Sequence, residues 1–148
     1  MLARAETYEA LVAGFQWPSA RSMNMVLDAC DIWAGKAPER TALIDMTGAA
    51  RVDVSYGALR ALSQRVALHL NALGVQKGDR VGVFLPQSPF CAAAHLGIWR
   101  LGAISVPLFT LFREEALRAR VQHSGLRVAL TDAPGAARLA PLGVQGLT

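Results

Sequence analysis

Residues Gly74 to Leu108, GVQKGDRVGVFLPQSPFCAAAHLGIWRLGAISVPL, decide the fold. Lys77, Gly78 and Asp79 read as a tight turn, and Arg80 to Leu85 as a buried strand. That run is continuously apolar rather than alternating, the pattern of a parallel strand covered on both faces. Pro86 closes it. Ser88 followed by Pro89 predicts a helix start: the hydroxyl can accept from an orphan N–H, and proline fits the first helical position because it has no N–H to satisfy. The helix is expected to run to Leu101 and end at Gly102, with a second buried strand from Ala103 to Leu108. Two strands joined through a helix must lie parallel, in a right-handed crossover.

Outward from this unit toward the N-terminus, Leu59, Leu62, Val66, Leu70 and Leu73 recur at steps of three and four, a helix that Ser55 can cap and Gly74 can end. Thr41 to Asp45 and Val52 to Ser55 read as two strands of a hairpin around Thr47, Gly48 and Ala49. Asn24 can cap a helix with Val26, Ala29, Cys30 and Trp33 as its apolar stripe, which places Asp28 and Asp31 on a solvated face. Residues 1–22 carry a short helical pattern (Tyr8, Leu11, Val12, Phe15), then Trp17 and Pro18, and read as an arm laid on something larger. Toward the C-terminus, Arg113 to Ser124 is a further amphipathic helix, with Leu117 and Val121 inward, Glu114 and Glu115 at its positive end and Gly125 closing it. Arg127 to Thr131 is a third short strand, and the Ala-, Gly- and Pro-rich tail from Asp132 shows no period. The expected fold is α/β: a short, three-stranded parallel β-layer with flanking helices and an attached β-hairpin.

The totals bound the function. With 148 residues there is room for one domain, and 53% hydrophobic against 18% charged is more apolar than such a domain needs. No membrane span explains the excess, because His95, Arg100 and Pro107 interrupt the most apolar window and about 20 uninterrupted apolar residues are required. The net charge of +4 resides in the second half, where seven Arg from residue 80 onward face Glu114, Glu115 and Asp132. A solvated basic surface is the reading preferred over nucleic acid, whose binding would be steeply salt-dependent. Cys30 and Cys91 form no framework or CxxC site and read as buried, inert thiols. With no apolar leader in the opening residues, the expected compartment is cytoplasmic.

Neither GxGxxG nor GxxxxGK[ST] occurs, and Gly74, Gly78 and Gly82 fall in a turn and a strand, so no phosphate cradle is supported. His69, His95 and His123 read as structural histidines, and no metal-ligand spacing occurs. The chain displays architecture without a complete catalytic constellation.

The run from Ser55 to Leu108, SYGALRALSQRVALHLNALGVQKGDRVGVFLPQSPFCAAAHLGIWRLGAISVPL, followed by REEALRARVQHSGLRVALTD, resembles the N-terminal part of the adenylate-forming acyl-CoA synthetases. Phe15, Trp17, Met23 to Asp31 and PERTAL from Pro38 to Leu43 are most similar to the acetyl-CoA and medium-chain branch. The resemblance implies a partial N-terminal domain of the acyl-CoA synthetase/luciferase-like fold, an arm over residues 1–22 and an incomplete α/β domain over 23–148. It implies an acid–thiol ligase in which a carboxylate attacks the α-phosphate of ATP with Mg²⁺ present, and CoA then displaces AMP. In such a family this work falls to a Ser/Thr/Gly-rich loop ending in Lys and to a mobile C-terminal domain with another Lys. Here the only lysines, Lys36 and Lys77, lie in turns. The expectation is therefore a fragment or truncated product that holds none of these ligands and is inactive alone.

By the same resemblance, Phe109, Thr110, Leu111 and Phe112 stand at the CoA entrance, and Arg138 is the candidate for a CoA phosphate contact. The glycines that such relatives carry between the two aromatics are missing, and core packing at a strand end is the alternative for Phe109 and Phe112. Ser55, Tyr56, Gly102 and Pro107 match as scaffold, while Ala58 replaces a Glu that would complete a capping box. A parallel layer cut after its third strand is expected to leave an edge and an open apolar face, so that the isolated chain binds a hydrophobic dye or self-associates. The alternative class is a non-catalytic α/β module that covers its apolar face with a partner.

Overall fold

The computed structural model describes residues 4–16 and 23–148. In chain order the elements are α1 (Tyr8–Gly14), a π-helical turn (Leu27–Asp31) running into α2 (Ile32–Lys36), β1 (Thr41–Asp45), β2 (Val52–Ser55) and α3 (Tyr56–Ala72). They continue with β3 (Arg80–Phe84), α4 (Pro89–Arg100), β4 (Ile104–Pro107), α5 (Glu114–Ser124) and β5 (Val128–Thr131). The chain closes with α6 (Ala133–Leu139), a 3₁₀ turn (Ala140–Leu142) and β6 (Gln145–Leu147).

The β3-α4-β4 unit forms, but β4, expected to be a second buried strand, is an edge strand whose residues are exposed or half-buried, because it pairs with β3 on one side alone. Ser88 Oγ accepts from the Cys91 N–H at 3.1 Å, with Pro89 in the first turn. β3 pairs parallel with β4 on one side and β5 on the other, so that Val83 lies opposite both Pro107 and Leu130. Val81 and Val83 are buried together with Val66, Leu70, Ala94 and Ile98 of α3 and α4. Phe84 and Ala129 are buried with Leu117 and Val121 of α5 and Leu139 of α6. The unbroken apolar run of β3 is thus used on both faces. Removing the Ser88 cap with Ser88→Ala is expected to cost about 1 kcal/mol in urea unfolding.

The expected three-stranded layer is corrected to four: the strand order is β4-β3-β5-β6, all parallel, with β1-β2 a separate antiparallel hairpin. The aperiodic tail folds because Asp132 Oδ1 accepts from the Gly135 N–H at 2.8 Å and starts α6. β6 then pairs with β5. A Cβ on Gly146 would stand 2.7 Å from Ala136 Cβ, so α6 and β6 approach through a missing side chain rather than an apolar pattern.

Two further readings are revised near the N-terminus. The buried residues of the Asn24-capped helix are Val26, Cys30 and Ala34, whereas Ala29 and Trp33 face outward. The reason is the π turn, in which the Ile32 N–H bonds to Leu27 O and the widened coil moves the buried register to every fourth residue. Trp33 instead carries Arg40, 4.9 Å above its ring. Asp31 is not on a solvated face: its carboxylate takes Arg100 Nη1 and Nη2 at 2.8 and 2.6 Å. α1 forms, with Thr7 as its cap, and buries none of its residues; Trp17 and Pro18 lie outside the described residues.

The apolar excess is not one open sheet face, as the central strands β3 and β5 are covered on both sides. It is spread over the hairpin (Ile44, Met46, Val52), Met23 to Trp33, Leu68 of α3, Ile104 of the edge strand β4, and Phe109 and Leu111 beyond that strand. Over β6 the helical layer stops short, leaving a groove of about 310 Å³ between Leu62, Phe90, Leu130 and Leu147.

Candidate functional site

In the four-stranded sheet, chain progress reverses direction between β3 and β5. An open α/β sheet binds ligands at such a switch, beyond the carboxyl ends of its strands. The segment that follows β4 and the helix that follows β5 both lie at that edge. They hold the residues that the sequence singles out.

Phe109 to Phe112 form a turn closed by the Phe112 N–H donating to Phe109 O at 2.9 Å. Arg138, in the last turn of α6, reaches this turn with both terminal nitrogens and the start of α5 with the third. Nη1 donates to Thr110 O at 3.0 Å, Nη2 to Phe112 O, and Nε to Glu114 Oε1 at 3.2 Å. Its guanidinium lies 5.2 Å from the centre of the Phe84 ring at the end of β3. Arg120 covers the Phe112 ring at 3.9 Å, and the two aromatic rings of the turn are 5.9 Å apart. All five candidates therefore gather in one place, although Arg138 is 26 residues from Phe112 in the chain. The two aromatics differ: Phe112 packs against the core, whereas Phe109 and Leu111 are 57% and 79% exposed.

α6, which carries Arg138 to this place, has no apolar period to announce it. Its signal was present: an Asp cap with Pro134 in the first turn, a start rule that does not depend on apolar periodicity.

A second concavity, of about 580 Å³, opens between the hairpin and the start of α4, with Asp45, Thr47, Gln87, Cys91 and His95 among its walls. Cys91 and His95 are one helical turn apart, and His95 Nδ1 is buried with no hydrogen-bond partner, the Cys91 thiol included. Burial pushes the Cys91 thiol up. Cys30 is pushed up as well, by burial first and by the Asp31 carboxylate next. Both are buried free thiols, as read from the sequence. Hydrogen bonds from the Thr47 hydroxyl and N–H hold Asp45 below the usual carboxylate range. Among the described residues no three His, Cys, Asp or Glu side chains gather to hold a metal ion, so no step through Mg²⁺ is assigned to this chain.

Burial also lowers the pKa of His95 from the ordinary 6.5. The unfolded chain then takes up the proton at higher pH than the folded one, so stability is full above about pH 6.5 and is lost as pH falls below it. Stability is expected to decline from pH 7 to 5.5 in denaturant titrations, and His95→Phe is expected to flatten that decline.

Comparison with known proteins agrees with this architecture. A profile described as AMP-binding enzyme matches residues 30–145. The acetyl-coenzyme A synthetase of Coprinopsis cinerea is 38% identical over 122 residues, which is 80% of this chain and 18% of that protein. A human protein, acetyl-coenzyme A synthetase 2-like, mitochondrial, is 33% identical over 118 residues, covering 78% of this chain and 17% of its own length. The chain thus spans less than a fifth of these curated relatives. Among solved structures, a Brucella canis acyl-CoA synthetase superposes with a TM-score of 0.85 at 28% identity, over 97% of this chain and 29% of that one. With the match extending over most of its residues and the fold following it, the chain belongs to the AMP-binding enzyme family of adenylate-forming acyl-CoA synthetases.

Proposed function

We propose that this chain is the opening part of the large N-terminal domain of an acid–thiol ligase. The whole enzyme would join a carboxylic acid to ATP as an acyl-adenylate, release pyrophosphate and pass the acyl group to CoA, with Mg²⁺ beside the phosphates. The observation that carries the reading is the coincidence of family match and backbone over nearly all of α2 to β6. Physically the first step is positioning and charge neutralisation around phosphates. This chain contributes scaffold to it: a sheet edge that ends in the Phe109 to Phe112 turn, which stands at the CoA entrance. Residues 1–22 serve as an arm and 23–148 as an incomplete α/β domain in a cytoplasmic enzyme. No described helix is long and apolar enough to cross a membrane.

By themselves the 148 residues do not catalyse adenylation, since Lys36 and Lys77 are their only lysines and neither belongs to a Ser/Thr/Gly-rich loop. The exposed hairpin residues Ile44, Met46 and Val52 promote self-association of the isolated chain. ATP–pyrophosphate exchange with a panel of carboxylic acids, run on this chain and on a longer protein that carries it, tests the proposal. Exchange is expected only in the longer protein. Exchange by the chain alone overturns the inactive-scaffold reading, and none in either favours a non-catalytic module.

A further inference from the structure

We infer that Arg138 is the positioning residue of the Phe109 to Phe112 turn, which it holds through the turn's carbonyls rather than reaching a ligand phosphate itself. The inference deepens the proposal that this turn stands at the CoA entrance, and rests on it for its functional meaning.

Three observations carry it. First, each guanidinium nitrogen already has an acceptor inside the chain: Thr110 O, Phe112 O and the Glu114 carboxylate. A planar fork matched to acceptors along one short segment fixes direction as well as distance, which a lysine cannot do. Second, the side chain is only 30% exposed and lies over Phe84, so releasing it to reach outward would remove hydrogen bonds and ring packing together. Third, the turn displays Phe109 and Leu111 to solvent while Phe112 is held beneath Arg120. Exposed apolar side chains keep a defined direction only when their backbone is held. The single bond within the turn, from Phe112 N–H to Phe109 O, leaves that task to Arg138.

The test compares wild type, Arg138→Gln and Arg138→Lys. Amide hydrogen exchange of the purified chain reads the turn directly. In Arg138→Gln, exchange at Phe112 is expected to rise about tenfold or more, as for loss of charge-assisted bonds, with partial rescue in Arg138→Lys. Unchanged exchange at Phe112, or an equal rise at the core amides of Ala94 and Ile98, overturns the inference. In the longer protein the KM values for CoA and for dephospho-CoA are expected to rise by the same factor. A rise confined to CoA would mean direct contact with its 3′-phosphate and would overturn the inference. If exchange rises at Phe112 and neither KM moves, the positioning role is upheld, and it is the CoA-entrance reading that fails.

Discussion

Arg100→Ala is expected to destabilise the chain by about 3 kcal/mol, the low end of the cost of removing one partner from a buried ion pair, because this pair is partly exposed. Against a typical domain stability of about 5–15 kcal/mol this is a large share. The side chains of Arg100 and Asp31 are 15% and 22% exposed, and the pair is bidentate at 2.6 and 2.8 Å. Arg100 Nε also donates to the buried Ser63 Oγ at 3.0 Å, and that hydroxyl donates in turn to Arg60 O at 2.9 Å. Truncation therefore leaves a carboxylate largely enclosed and takes one donor from a buried hydroxyl in α3, which keeps its bond to Arg60 O. Close by, Asn24 Nδ2 donates to Trp99 O at 3.1 Å while Asn24 Oδ1 accepts from the Val26 N–H at 3.0 Å. One asparagine thus caps the end of α4 and the start of the helical segment that runs through the π turn into α2, so the damage spreads across the junction. Asp31→Leu with Arg100→Met replaces the pair by apolar groups and is expected to cost much less than the two single changes added together. A denaturant-based double-mutant cycle measures this, and strict additivity would rule the coupling out.

Gly97→Val is expected to cost about 3 kcal/mol by overpacking. α3 and α4 meet where α4 has no side chain: a Cβ on Gly97 would lie 2.5 Å from Val66 Cγ1, 2.6 Å from Val66 Cβ and 3.0 Å from Ser63 O. The nearest atoms belong to a stiff β-branched side chain and to backbone, so neither yields easily. Gly97→Ala is the finer test. Alanine is favoured over glycine inside a helix by about 1 kcal/mol, and a net loss of stability shows that the helix contact outweighs propensity. Adding Val66→Ala is expected to recover part of the loss in thermal or urea unfolding. If Val66→Ala brings no recovery, the clash is not where the structure places it.

The Asp31 and Gly97 contacts also mark how far the sequence could be read. The hairpin, α3, β3, α4, β4 and α5 were legible because each carries its own local signal. Ser55 and Ser88 cap, Gly74 and Gly125 adopt the left-handed backbone that ends a helix, and the apolar positions recur at the right period. Asp31 looked solvated because its partner is 69 residues away and no local pattern announces it. β6 was missed because three residues, one of them glycine, carry no period, and its place comes from pairing with β5. Of the candidate site, Phe109 to Phe112 could be named by resemblance, but not the division between an anchored Phe112 and a displayed Phe109.

The order of secondary structure from the hairpin through β5 and the parallel crossover were determined by the amino-acid sequence alone, since they rest on capping, glycine backbone and apolar spacing within a few residues. Only the tertiary structure decided that the sheet has a fourth strand, that Asp31 is paired, and that Arg138 grips the turn it accompanies. Those outcomes depend on groups remote in the chain satisfying one another's hydrogen bonds and charge, a requirement that exists only once the elements are packed.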